Sequence, residues 1–165
     1  MESNNKPYRI AFGHQARVGK DSACNYLSSK FQNSIIIRFA SPVYNIAEQI
    51  QMQLNKSLEK NPRLLQLIGL GLREVYGDDI WSSQVESQIQ SLTTQNIFIP
   101  DLRFKNEADM LKKHGFLLVK IIRKNREIDR DPRHKSEIDL EDYPFDLVIE
   151  NDGTINEFYN KLDKL

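Results

Sequence analysis

The sequence is short of cysteine, of long apolar runs and of net charge, and each shortage removes a class of protein. Cys24 is the only cysteine among 165 residues, so no intrachain disulfide can form and no cysteine-rich zinc site can be built. The first ten residues hold no apolar run of signal-peptide length. The longest apolar stretches, such as Phe116 to Ile122, contain or border charge and fall far short of a membrane span. A soluble, cytoplasmic protein without a membrane partner is therefore expected. Lys and Arg number 23, as do Asp and Glu. That balance supplies no bulk attraction to nucleic acid or anionic lipid, and no nucleic-acid partner is expected. No internal repeat or low-complexity tract is found.

What remains is one domain of ordinary globular sequence, 39% hydrophobic and 28% charged, with enough apolar material for one core. Residues 1–7 read as a loose polar tail. A strand over Tyr8 to Phe12 ends at Gly13, and Ala23, Leu27 and Phe31 recur at helical spacing in Lys20 to Phe31. A second strand is expected in Ser34 to Ala40, followed by Ser41 as a helix N-cap and Pro42 at the first helical position. The middle, from about Val43 to Leu92, reads as mostly helical. It breaks at Asn61-Pro62 and turns at Gly77-Asp78-Asp79, with Asp79 as the cap of a helix through Trp81, Val85 and Ile89. Further strands fit Asn96 to Ile99, Phe116 to Ile122 and Asp146 to Ile149. Helices fit Asn106 to His114, stopped by Gly115, and the segment capped by Thr154. Alternating strands and helices predict an α/β domain with a mainly parallel sheet of about five strands, whose ligands bind beyond the carboxyl ends of the strands.

Three chemically loaded segments fall at those ends: Gly13 to Ser22, Asp101 to Glu107, and Arg123 to Glu137. Gly13 to Ser22 follows a strand and opens a helix, the context a phosphate-binding loop requires. Gly19 would let the backbone approach, loop N–H groups would converge on anionic oxygens, and Lys20 would reach the outer phosphates. The match to G-x-x-x-x-G-K-[ST] is imperfect: His14 stands at the first glycine position, and Asp21 precedes Ser22. An ordinary strand–turn–helix is the competing reading. Ile97 to Asp101 is an apolar strand ending in a carboxylate, as in a Mg²⁺-orienting Walker B element, or a strand ending in a turn aspartate. Arg103, two residues on, suits an anionic ligand or a surface ion pair. Arg123 to Lys135 is basic and poor in core residues, the composition of a flap over phosphates or of a solvated loop. It precedes an acidic stretch from Glu137 onward. Cys24 reads as a small core residue and Trp81 as packing against the helical middle. Arg73 is either an exposed helix residue or a phosphate contact. His134 has no second His or Cys nearby to suggest a metal.

Four motifs in order carry a family resemblance. Ala16-Arg17-Val18-Gly19-Lys20-Asp21-Ser22 resembles A-R-x-G-K-D-[ST]. Leu64 to Gly69, with Arg73-Glu74 and Asp79-Ile80-Trp81, resembles L-L-Q-x-x-G…R…D-x-W. Asp101 to Ala108 resembles D-x-R-[FY]-x-N-E-A. His134 to Glu137, with Asp146 to Thr154, resembles H-x-S-E…D-x-x-I-x-N-[DN]-G-[ST]. The set, covering Tyr8 to the C-terminus, resembles the deoxynucleoside monophosphate kinases, a branch of the P-loop kinases related to adenylate kinase.

The resemblance implies a single P-loop kinase domain over 1–165, a three-layer α/β sandwich. It would have a helical acceptor-binding region at about 42–92 and a lid at about 124–137. The implied reaction moves the γ-phosphoryl of ATP, with Mg²⁺, to a deoxynucleoside monophosphate. Residues 16–22 (Ala16, Arg17, Val18, Gly19, Lys20, Asp21 and Ser22) would hold ATP, and Asp21, Ser22 and Asp101 would serve the metal. Ser41, Gln66, Arg73, Trp81, Asp101 and Arg103 would hold the acceptor. Lys20, Arg126 and Arg130 would act in catalysis. A homodimer is left open. The chain departs from the pattern at His14, at Ser41 where the family often has Asp, and at Leu70 where it often has Thr. The alternatives are another small-molecule kinase of this fold, such as a phosphomevalonate kinase-like enzyme, and a catalytically silent nucleotide-binding protein.

Overall fold

The computed structural model describes residues 6–126, 133 and 135–165. Five strands form one all-parallel sheet: β1 (Arg9–Gly13), β2 (Ser34–Ile36), β3 (Asn96–Leu102), β4 (Leu117–Ile122) and β5 (Leu147–Glu150), in the spatial order β2-β3-β1-β4-β5. The period-two pattern of the strands divides the core. Ala11, Ile97, Ile99 and Leu118 face helices α4 (Ile80–Ser91) and α5 (Lys105–Lys113) on one side. Ile10, Phe12, Phe98, Val119 and Ile121 face α1 (Lys20–Lys30) and α7 (Ile155–Leu162) on the other. The sheet is thus the middle of three layers, as expected.

Helices α2 (Ser41–Gln53) and α3 (Pro62–Tyr76) stand apart on their own small core of Val43, Ala47, Ile68 and Trp81. The sequence signals for their breaks hold. The Asn61 side chain accepts from the N–H of Leu64 at 3.0 Å, and Pro62 occupies the first turn. At α7 the Thr154 hydroxyl accepts from the N–H of Glu157, while the Glu157 carboxylate accepts from that of Thr154 at 2.7 Å. The short α6 spans Lys135–Ile138.

Two caps differ from expectation. α2 begins one residue early, so Ala40 is its N-cap and Ser41 lies exposed in its first turn. The Asp101 carboxylate takes the cap's place, accepting from the N–H groups of Phe39 at 3.1 Å and Ala40 at 2.9 Å. Asp79 holds the N-cap position of α4 without a side-chain cap bond, because its carboxylate accepts from Asn106 Nδ2 at 2.8 Å. Strand β3 also runs longer than expected, through Pro100 to Leu102. β2 pairs with it only as far as Phe98, so on that side Pro100 forfeits no ladder bond. On the other side the register slips by one residue between Ala11 and Gly13. That slip spans Pro100-Asp101, next to the carboxylate that reaches the start of α2.

Candidate active site

β1 lies between β3 and β4, where the strand order reverses direction, so a crevice opens beyond its carboxyl end. The loop from Gly13 to Lys20 fills the floor of that crevice. Gly19 precedes α1 with φ +104°, and a Cβ there would sit 2.6 Å from the Asn151 side-chain nitrogen. Glycine is required on both counts. Asn151 donates to the Val18 carbonyl at 2.9 Å, and Glu137 accepts from the Ala16 N–H at 3.0 Å. The loop is therefore held from both ends by residues far along the chain. His14 carries φ +84°, so the left-handed backbone that favours glycine sits at the position where the general motif has one. Its imidazole is buried, its Nδ1 has no hydrogen-bond partner among the described residues, and burial, then Lys120, pulls its pKa down to about 4. The Lys20 ammonium folds back onto the carbonyls of Gln15 and His14. Burial, then the Arg103 charge, lowers its pKa to about 7.

The opposite wall is built of ion pairs. Arg73, on α3, donates to Glu107 at 3.0 Å and to the Asp78 carbonyl at 2.7 Å, with its guanidinium 4.2 Å from the Phe104 ring centre. Glu107 also accepts from the N–H groups of Arg103 and Phe104. Burial pushes its carboxyl up to about 7 against the opposing pull of those N–H groups and Arg73. Arg103 pairs with Glu137 at 2.5 Å. Because Glu137 also holds Ala16, one carboxylate ties the phosphate loop to an arginine of the facing wall. Burial likewise raises Asp101, against the Ala40 and Phe39 N–H groups.

A single cleft of about 770 Å³ joins the two walls. Of the expected residues, Ala16, Arg17, Gly19, Lys20, Asp21 and Ser22 line its floor. Gln66, Arg73, Trp81, Asp101 and Arg103 line the other side. Trp81 is nearly fully buried and donates to the Gly69 carbonyl at 3.0 Å, so it shapes the wall as much as it faces the space. Val18 is buried behind the loop, and Ser41 lies outside the lining. Arg126 donates to the Ala16 carbonyl at 3.3 Å, which brings the start of the basic segment to the phosphate loop. Arg130 and His134 lie outside the described residues. Two cleft residues, Arg38 and Glu107, and the buried Glu137 behind the wall were not singled out from the sequence. Glu107 and Glu137 stood inside quoted motifs without a role. Arg38, at the end of β2's apolar run, pairs with Asp21 at 2.6 Å.

Among the described residues, no helix is long and apolar enough to cross a membrane, and no three His, Cys, Asp or Glu side chains gather as a metal cluster. A parallel sheet with a Gly-Lys loop at its switch point, faced across a cleft by arginines, defines the class as a P-loop kinase. Solved structures share the fold. The tunicamycin resistance protein of Deinococcus radiodurans aligns over 97% of this chain and 95% of its own at TM-score 0.52. A Chloroflexus aurantiacus protein provisionally titled a kinase aligns over 98% and 95% at 0.53. Both are 10% identical in sequence, which supports the fold alone.

The sequence comparisons go further. The family model for deoxynucleotide monophosphate kinase matches residues 62–162. A mimivirus protein (Acanthamoeba polyphaga mimivirus) that provisionally carries this family's name is 30% identical, covering 87% of this chain and 88% of its own. An uncharacterised Ictalurid herpesvirus 1 protein, ORF77, is 29% identical over 93% of this chain and 68% of its own. The chain belongs to the deoxynucleotide monophosphate kinase family, and it is an ATP-dependent phosphotransferase.

Proposed function

We propose that the chain transfers the γ-phosphoryl group of ATP to a deoxynucleoside monophosphate, yielding ADP and a deoxynucleoside diphosphate. The observation that carries this reading is the single cleft, which sets Lys20 and its loop opposite the buried pair Arg73–Glu107 and the half-buried pair Arg103–Glu137. A phosphate loop serves a triphosphate. Arginines anchored by carboxylates suit a dianionic monophosphate, because bidentate guanidinium contacts favour phosphate. The Gln66 side chain, on the same wall, supplies donor and acceptor groups for a base edge.

In this reading the ammonium of Lys20 leaves the Gln15 and His14 carbonyls and turns to the donor phosphates, while the loop N–H groups donate to anionic oxygens. Arg103 neutralises charge between donor and acceptor, and Arg126 closes from the lid side. Arg130 is assigned the same role from its sequence position. Catalysis is then chiefly positioning and electrostatic stabilisation. The donor set fits Mg²⁺, which keeps most of its waters and takes one or two protein oxygens. The Ser22 hydroxyl and the Asp101 carboxylate line the same cleft as Lys20, whereas Asp21 is turned to Arg38. Ser22 would hold the ion directly and Asp101 through its waters. When bound, Mg²⁺ offsets charge on the β- and γ-phosphate oxygens.

Incubating the purified chain with ATP, Mg²⁺ and, in turn, dAMP, dGMP, dCMP, dTMP and phosphomevalonate tests the reading. ADP and a deoxynucleoside diphosphate are expected from at least one nucleotide. Turnover of phosphomevalonate alone would reassign the acceptor. ATP binding with no acceptor phosphorylated would mark a silent nucleotide-binding protein.

A further inference from the structure

The arginines of the cleft differ in what they have left to donate. Arg73 is fully engaged: its side chain is 8% exposed, one nitrogen donates to Glu107, another to the Asp78 carbonyl, and its face lies on Phe104. Arg103 keeps more, with 19% of its side chain exposed and one nitrogen shared between Glu137 and the Ser136 carbonyl. Arg38 has donors to spare. It stands in the turn between β2 and α2, flanked by the buried Ile37 and Phe39, and it lines the cleft. Its side chain is 40% exposed, and Nη1 meets the Asp21 carboxylate at 2.6 Å. Among the described residues the guanidinium makes no other hydrogen bond or ion pair. Arginine carries five N–H donors in a planar fork, so one edge of Arg38 is anchored and the rest is open to the cleft.

Asp21 occupies the first turn of α1, where the general phosphate loop has the hydroxyl that follows lysine. Its side chain is 65% exposed. An ion pair between two side chains this exposed adds little to stability, so stability does not account for placing it in the cleft. What the pair does is fix a direction. It holds the guanidinium at the seam between the phosphate loop and the root of α2. Asp101 crosses that seam too: its carboxylate takes the Phe39 and Ala40 N–H groups, and the charges of Arg38 and Arg103 both act on it. Two guanidiniums thus converge on the end of β3, where a dianionic phosphate would meet both.

We infer that Arg38 binds the phosphate of the acceptor, and that Asp21 is the positioning residue that aims it there. Asp21 then serves the acceptor rather than the metal. The acceptor phosphate takes the open edge of the Arg38 fork while Asp21 keeps the other, a two-sided contact that a planar guanidinium permits and an ammonium does not. The donor has its own cation in Lys20, whereas Arg38 leads directly into the acceptor arm. This role presupposes the proposed reading that the cleft takes a phosphate monoester as acceptor, and it is the same whichever group carries the phosphate.

Titration calorimetry without ATP or metal tests it, with dAMP, dGMP, dCMP, dTMP and phosphomevalonate as the probes. At least one should bind the wild type. For that probe Arg38→Ala should weaken binding about tenfold or more, and Arg38→Lys, which keeps the charge but loses the fork, should recover only part of the loss. Asp21→Asn should weaken binding of the same probe about threefold or more, and should add nothing further in the Arg38→Ala background, because it acts through that arginine. Affinity for ATP with Mg²⁺, measured separately, should hold in Arg38→Ala. All three single variants should melt with the wild type, since the pair is exposed. Undiminished probe binding by Arg38→Ala overturns the proposal and leaves the kinase reading standing. So does a loss confined to ATP, which would move Arg38 to the donor. An Asp21→Asn loss that adds in full to that of Arg38→Ala overturns the positioning role. Failure of every probe to bind the wild type overturns the acceptor reading, and this proposal with it.

Discussion

The sheet and the helical arm enclose the same cleft, yet they are packed very differently. Among the described residues, fourteen buried apolar side chains pack on one face of the sheet and twelve on the other, whereas α2, α3 and the start of α4 share four. The phosphate loop belongs to the first region and is clamped by Glu137 and Asn151. The α3 side of the acceptor wall, with Gln66 and Arg73, belongs to the second, while Arg103 and Glu107 are carried by the sheet region. The difference teaches that the donor half is preorganised by a large core, while the acceptor half is cheap to move, as a wall that must close around its substrate should be.

The largest expected effect falls on the donor half. Lys20→Ala should lower kcat about 10³-fold or more while leaving thermal unfolding close to that of the wild type, as steady-state kinetics and calorimetry would show. Next comes the core itself. Leu111→Ala, at a fully buried site under the sheet, should cost about 2–5 kcal/mol in urea unfolding. Ile68→Ala, in the small arm cluster, should cost less globally and appear instead as a raised KM for the acceptor. Equal costs at the two sites would abolish the distinction.

On the acceptor wall, Glu107→Gln should raise the acceptor KM about tenfold, since Arg73 loses the charge that orients it. The same variant carries a pH signature. The Glu107 carboxyl is raised to about 7 in the folded chain, so the folded state binds the extra proton. The unfolding free energy should therefore fall as pH rises from about 4.5 to 7, and that slope should disappear in Glu107→Gln. On the donor side the sign concerns binding. Lys20 in the free loop sits near 7, so ATP affinity should hold below that pH and fall by up to about tenfold per unit above it. Titration calorimetry in buffers of different ionisation enthalpy would reveal the proton taken up. The smallest effect is at His14, whose φ of +84° glycine adopts freely. His14→Gly should raise stability by about 1 kcal/mol.

What could be read from the sequence was local. The Gly-Lys loop announced itself by lying between a strand and a helix, and Asn61-Pro62 and Thr154 marked helix starts that the structure keeps. What could not be read depends on partners brought together by the fold. Ser41 looked like an N-cap because serine usually is one. The capping group is Asp101, sixty-one residues from Ala40, delivered by the register slip at Pro100. Glu137 meets Ala16 across 121 residues, and Arg73 meets Glu107 across 34. In each case the residue stood within or beside a recognisable motif, but its partner was set by strand order. His14 looked like a departure from the loop pattern, and its backbone adopts the conformation of the glycine it replaces.

The division of the cleft into a donor half and an acceptor half is tested most directly by amide hydrogen exchange with each ligand alone. ATP with Mg²⁺ should protect the loop from Gly13 to Ser22 and leave α3 unchanged. The preferred deoxynucleoside monophosphate alone should slow exchange in α2, α3 and the segment around Arg103, leaving the loop as it was. Protection of the same amides by both ligands, or monophosphate protection confined to the phosphate loop, would contradict it.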